Sequence, residues 1–303
     1  MGTPPYGMFF DPSRTDAGLI KFFQQTGGKT KWPRQFRGGW ESTHPCAWDG
    51  NERRWLPPWG TRCTNGGWHP IPPRGDGGLL YLELYTNGGA EGPVPAEFEA
   101  FQTTQVIGLG HNRLTGTLWD TQYHTFCQRF DLAHNQFEGT LPENFMLRNN
   151  VHSEIVNLAD NRLSGTIPRI ISNLTNLVAL LLNKNKFSGE VPDLSSLQKV
   201  RQLNLAENMF TGTIGKWLKE MKNVAWVHLN DNMFEGSLPE LPPYVSHLYL
   251  SGNKWSGAIP ESYGQLGYLK VFNCTGCSLE CPRPNLLDHV YFSTHCKPTP
   301  RFQ

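Results

Sequence analysis

Apolar and polar positions alternate along this chain in a frame that repeats far beyond the length of one strand or one helix. Two apolar residues flank a single variable position, and an asparagine follows the second of them three residues on, an L-x-L-x-x-N frame. The asparagines are Asn87, Asn112, Asn135, Asn161, Asn185, Asn208, Asn232 and Asn253, and Cys274 takes the same slot in this count. The 187 residues from Asn87 to Cys274 divide into eight steps of about 23.4 residues, a period diagnostic of repeat architectures. Downstream of each asparagine comes an apolar residue, then Gly, then often Ile or Leu with Pro. Asn161-Arg162-Leu163-Ser164-Gly165-Thr166-Ile167-Pro168 and Asn253-Lys254-Trp255-Ser256-Gly257-Ala258-Ile259-Pro260 show the full form.

The spacing has a physical reading. The alternation puts both apolar residues on one face of a short strand, and stacking such strands from successive coils builds a parallel sheet over one continuous core. Where the chain turns inward, backbone groups lose their strand partners. A buried asparagine offers two donors and an acceptor to satisfy them, so the eight asparagines read as a structural ladder, with Asn185 and Asn208 expected to be buried in interior coils. Gly admits the tight conformation that follows, and Pro suits an extended segment that donates no hydrogen bond.

These repeats resemble the plant-type extracellular leucine-rich repeats of receptor ectodomains and polygalacturonase-inhibiting proteins. Asp16–Phe23 looks like the first cap helix of that family. Trp40, then His44-Pro45-Cys46-Ala47-Trp48-Asp49-Gly50, then Cys63 look like its N-terminal cap. The resemblance covers about residues 16–281. It departs at the long segment from Asn51 to Arg74, at the 26-residue step from Asn135 to Asn161, where a loop around Leu147–Ser153 is enlarged, and at two closing steps of 21. It implies an α/β-type solenoid: a right-handed horseshoe with a concave parallel β-sheet, about nine coils and disulfide-stapled caps. The chain then divides into an N-terminal segment and cap over 1–78, repeats over 79–273, and a C-terminal cap and tail over 274–303.

Seven cysteines follow this division. Cys46 and Cys63 sit at cap positions, and the resemblance implies a bridge between them. Cys127 falls on an apolar frame position and reads as a free buried thiol. Cys274, Cys277, Cys281 and Cys296 cluster where a second cap is required. Two bridges in any of three pairings are expected, with a zinc site through Cys274 and Cys277 as the alternative. An end coil has no neighbour to cover its core, which is why stapled ends are expected. Two N-glycosylation sequons occur, at Asn173 and Asn273.

Charge is balanced, with 27 basic and 26 acidic residues, which disfavours binding to nucleic acid or membrane surfaces through bulk charge. No apolar run is long enough to span a bilayer. Residues 1–10 lack the blocks of a signal peptide, so an extracellular or cell-surface location implies a leader removed before this numbering. Phosphate loops, nucleophile elbows and paired histidines on a helix are missing from the sequence. No catalytic residue, metal site or cofactor is therefore expected, and the chain reads as non-enzymatic.

Binding is the better expectation. The variable positions around each L-x-L face the concave side, and the C-terminal coils gather aromatic residues there. The expected patch is Trp226, His228, Asn230, His247, Tyr249, Tyr268, Lys270 and Phe272, fit for a protein, peptide or glycan. The tail from Pro282 to Gln303 is long enough to cover it instead. Two functions compete: recognition of such a ligand through the concave face, or a structural subunit of an extracellular matrix or fibre, assembling as a homo-oligomer or filament through its repeats and termini.

Overall fold

The computed structural model describes residues 21, 25, 61–63, 79–83, 89–100, 104–147, 152–280, 290–293 and 296–297. Through them the chain winds as a parallel β-solenoid of about eight turns. Each coil contributes one short strand to a continuous concave sheet. Val106–Gly108, Arg129–Asp131, Ile155–Asn157, Ala179–Leu181 and Gln202–Asn204 pair in parallel, residue for residue. Trp226–His228, His247–Tyr249 and Val271–Asn273 continue the series. Leu79–Glu83 and the antiparallel Thr61–Cys63 close one end of this eleven-stranded sheet, and Tyr291–Ser293 closes the other.

Alternation sets which side chains go in. From Ile107 to Phe272 the middle residue of every one of these strands is fully buried, and its two neighbours face the concave side. Among the described residues the opposite wall has little helix. It consists of five-residue 3-10 turns, such as Arg169–Asn173 and Glu261–Gln265, one α-helical turn at Trp217–Glu220, and a second set of short parallel strands. The α/β reading therefore narrows to a β-solenoid. A segment of about five residues entered through Pro168 or Pro260 closes one 3-10 turn and has no length for a second. At Gly165, with φ of 76°, an added Cβ would lie 2.7 Å from Thr140 Cγ2 of the preceding coil. Coil contact there requires the glycine.

The ladder asparagines tie successive coils together. Asn232 Nδ2 donates to Leu229 O and Asn230 O of its own coil and to Leu205 O of the coil before, at 2.9–3.2 Å. Its Oδ1 accepts from Phe210 N at 3.0 Å, again one coil back. Asn135, Asn161, Asn185, Asn208 and Asn253 repeat this pattern. Asn112, Asn135 and Asn232 are buried. Asn185 and Asn208, expected to be buried, are only half-buried. Asn87 lies outside the described residues. The apolar residue two places after each asparagine forms a spine, in which Phe187, Phe210, Phe234 and Trp255 stack at 5.7–6.1 Å between centroids.

The frame needs one correction at the C-terminal end. Val271, Phe272 and Asn273 pair with His247, Leu248 and Tyr249. Phe272 and Cys274 therefore fill the two core positions, both fully buried, and the asparagine slot passes to Cys277. The step from Asn253 is then 24 residues, and 21 occurs only between Asn232 and Asn253. Cys274 and Cys277 are joined as a disulfide. Cys46, Cys281 and the side chains of Cys63 and Cys296 lie outside the described residues, as do the Asp16–Phe23 cap motif (apart from residue 21) and 148–151 of the enlarged loop. Cys127 is buried and forms no disulfide, and burial pushes its thiol up to about 12.

Two measurements probe this packing. Asn232→Ala should lower unfolding free energy by about 1–3 kcal/mol, since it strands buried backbone groups. Asn183→Ala, on the concave face of the same fold, should change it by only a few tenths of a kcal/mol. Denaturant titration of both variants compares them, and equal losses would contradict the ladder. Cys127 should resist thiol-reactive dye at pH 8 in the folded protein and react fully once it is unfolded.

Candidate functional site

The C-terminal half of the concave face is built from residues whose strand neighbours are already committed to the core. Val227, Leu229, Leu248 and Leu250 are fully buried, so Trp226, His228, His247 and Tyr249 project to the other side. Register brings them together in pairs. Trp226 lies beside His247 with ring centroids 5.2 Å apart and planes tilted by 50°. His228 stacks on Tyr249 at 4.6 Å and 22°. Trp226 keeps 48% of its surface exposed. Asn230 completes the row and donates through Nδ2 to Asp231 Oδ2 at 2.7 Å.

Three of the expected patch residues sit elsewhere. Phe272 is in the core, edge-on to Tyr263 at 5.6 Å. Tyr268 and Lys270 precede the strand Val271–Asn273, because the corrected register shifts the inward positions to Val271 and Asn273. Tyr268 is exposed on the flank and pairs with Tyr244 at 5.4 Å, and Lys270 is exposed beside it. Sequence reasoning missed Val271, Asn273, Tyr244 and Tyr291. The tail strand Tyr291–Ser293 extends the sheet instead of folding over it, and Tyr291 stands 66% exposed in line with Trp226, His247 and Val271. Its signal was the polar-apolar-polar step Tyr291-Phe292-Ser293, which no asparagine announces.

The two sequons differ in setting. Asn173 is exposed at the end of a 3-10 turn, on the wall away from the concave sheet. Asn273 lies on the concave strand, and its Oδ1 accepts from Thr275 N and Thr275 Oγ1. Further toward the N-terminus the face turns ionic. The Asp131 carboxylate, 5% exposed, accepts from Arg129 Nη2 at 2.8 Å, Asn157 Nδ2 at 3.1 Å and Ala133 N at 3.2 Å. Among the described residues no group of three or more His, Cys, Asp or Glu side chains is placed to hold a metal ion.

The family described as Leucine Rich Repeat matches residues 153–174. Receptor-like protein 39 of Arabidopsis thaliana is 33% identical over 138 residues, covering 37% of this chain and 16% of that protein. Among solved structures, a TDR receptor aligns with a TM-score of 0.65 and 28% identity, over 72% of this chain and 39% of that one. The plant peptide hormone receptor RGFR1, in complex with RGF2, aligns at 0.62 and 27%, over 67% and 33%.

The chain carries leucine-rich repeats. It is similar to plant receptor-like proteins and receptor ectodomains, and it spans well under half the length of those relatives. In this leucine-rich repeat chain, as the strand register dictates, the inward positions are the ones free to vary.

His228 gives the site a measurable electrostatic signature. Burial, and secondarily the neighbouring His247, hold its imidazole below the usual histidine value. The unfolded chain thus binds that proton more readily than the folded one, so stability falls as pH drops from about 6.5 toward the folded value. His228→Gln should flatten this acid-side slope. Proton NMR should place the His228 titration below that of free imidazole, and a midpoint above it would contradict the described packing.

Proposed function

We propose that this chain is an extracellular, non-enzymatic recognition module that holds a peptide ligand along its concave face. The observation that carries the reading is the aromatic cluster on the concave face, with exposed Trp226 and Tyr291 and half-buried His247 in one row and half-buried His228 and Tyr249 in the next, on strands whose interior positions from Val227 to Phe272 are full. Exposed apolar patches of this kind mark interaction sites. The likeness to a peptide hormone receptor, RGFR1, supports a peptide as ligand class. The likeness to plant receptor-like proteins supports a cell-surface or extracellular setting. Asn173 is the sequon suited to carry a glycan, since sugar there would leave the concave face open. Cys46 with Cys63, and Cys281 with Cys296, are proposed as further stapling bridges at the two ends.

Trp226→Ala combined with Tyr249→Ala tests the reading. The pair should cost about 2 kcal/mol or more in affinity for a peptide selected against the wild-type protein. The melting temperature should stay nearly unchanged, because both rings stand outside the core. A large drop in melting temperature with unchanged affinity would make the rings structural. Light scattering on the same samples addresses the matrix-subunit alternative: concentration-dependent polymers would favour it, and monomers would favour recognition.

A further inference from the structure

The floor of the concave sheet carries no formal charge from Ile155 to Ser293. At each described inward position of seven consecutive strands the side chain is aliphatic, aromatic, hydroxylic, carboxamide or imidazole, and none is Asp, Glu, Lys or Arg. Charged residues make up 17% of the chain, so the gap is positional. They stand exposed on both flanks of the same coils. Glu154, Arg201 and Lys270 immediately precede their strands, and Asp160, Lys184 and Glu207 occupy the turns that follow. Lys184 and Glu207 approach to 4.0 Å and satisfy each other across coils. The charged pair on the inner face, Arg129 with Asp131, lies one strand before the neutral floor begins.

A surface that excludes charge selects against charged groups, since any such group laid on it loses water and gains no counter-ion. The floor does supply hydrogen-bonding capacity suited to a backbone. Asn204 Oδ1 accepts from Ala206 N, which leaves its N–H donors turned to the concave space. At the centre of the floor the rings favour an extended peptide over a sugar chain. His228 and Tyr249 stack on each other and so hide one face of each half-buried ring, whereas a sugar ring packs on an open face; the more open aromatic surface lies to one side, at Trp226, 48% exposed. Stacked rings and carboxamides accommodate aliphatic side chains and peptide groups. The six inter-strand steps from Ile155 to Tyr291, at about 4.8 Å each, make roughly 29 Å, the reach of about nine extended residues.

We infer that the ligand segment held over Ile155–Ser293 is an extended peptide stretch of about nine residues without charged side chains. The inference rests on the peptide reading above and specifies its chemistry.

The test uses the full chain and a display library of random dodecapeptides. Selected peptides should share a core depleted in Asp, Glu, Lys and Arg relative to the unselected library. Gln202, half-exposed at the middle of the floor, then receives each sign of charge in turn. Gln202→Glu and Gln202→Lys should both weaken a selected peptide, by about tenfold, with the melting temperature unchanged. A charged consensus core, or tightening by one of the two signs, would overturn the neutral-ligand inference and leave peptide recognition standing. Failure to enrich any peptide would overturn both. Binding of neutral β-glucan oligosaccharides in its place, abolished by Trp226→Ala, would assign the floor to sugar.

Discussion

The carboxamide clamp between coils is the interaction on which the rest of this structure depends. In a solenoid each coil contacts only its neighbours along the shared core, so coil spacing must be fixed locally. Each ladder asparagine does this with one side chain. Its amide nitrogen draws in carbonyls from its own coil and the previous one, and its oxygen takes an N–H from the previous coil. Those groups lie where the chain leaves the concave sheet and has no strand partner. The clamp also imposes a local cost. The residue just before the asparagine adopts a left-handed backbone at His134, Asp160, Lys184, Glu207 and Asp231, with φ between 54° and 57°. A non-glycine residue there costs of order 1–3 kcal/mol, and it persists because the clamp and the strand pairing over-determine the turn.

Legibility in the sequence followed from this division of labour. The repeat, the sheet, the buried middle residue of each strand and the ladder were readable, because each has a side-chain requirement that recurs every coil. Conformations that recur without a matching residue type were not. Nothing in Lys184 or Glu207 announces a positive φ. The scarcity of helix among the described residues of the outer wall was equally hidden, since Ile-Pro entry fits either a short helix or a single 3-10 turn. The register error at the C-terminal end has the same origin: with no asparagine in the slot after Asn253, Cys274 was taken for it by spacing, and packing awarded it to Cys277. That displaced Phe272 from the face to the core and put Val271 and Asn273 in view.

The candidate site was legible in part for a related reason. Trp226, His228, His247 and Tyr249 lie on strands flanked by intact asparagines, so counting placed them correctly. Tyr291 follows the last recognisable slot and was invisible to counting. The face is therefore longer than the frame implied, and the tail lengthens it where it could have closed it. Because the core is satisfied by the middle residue of each strand and the turns by the clamp, inward positions are released from folding duty. A run of seven neutral strands on such positions is then a property of the inward face rather than a by-product of the fold.

The end of the ladder shows how strongly the clamp is required. In a regular coil the second core leucine offers its carbonyl to the asparagine of the next coil, as Leu229 O does to Asn253 Nδ2 at 2.9 Å. Leu250 O should receive the same bond from the slot now held by Cys277, which has no amide to donate. Trp255 supplies it: the indole Nε1 donates to Leu250 O at 3.0 Å from within the same coil. This accounts for a tryptophan ending the stacked run of Phe187, Phe210 and Phe234. The other half of the asparagine's role is closure within its own coil, where Asn253 Nδ2 reaches Leu250 O three residues back. Cys277 closes the same three-residue span by its disulfide to Cys274. Where the carboxamide is lost, two different chemistries divide its duties, an indole donor for the buried carbonyl and a covalent bond for the turn. The strand beyond, Tyr291–Ser293, can then still add to the sheet.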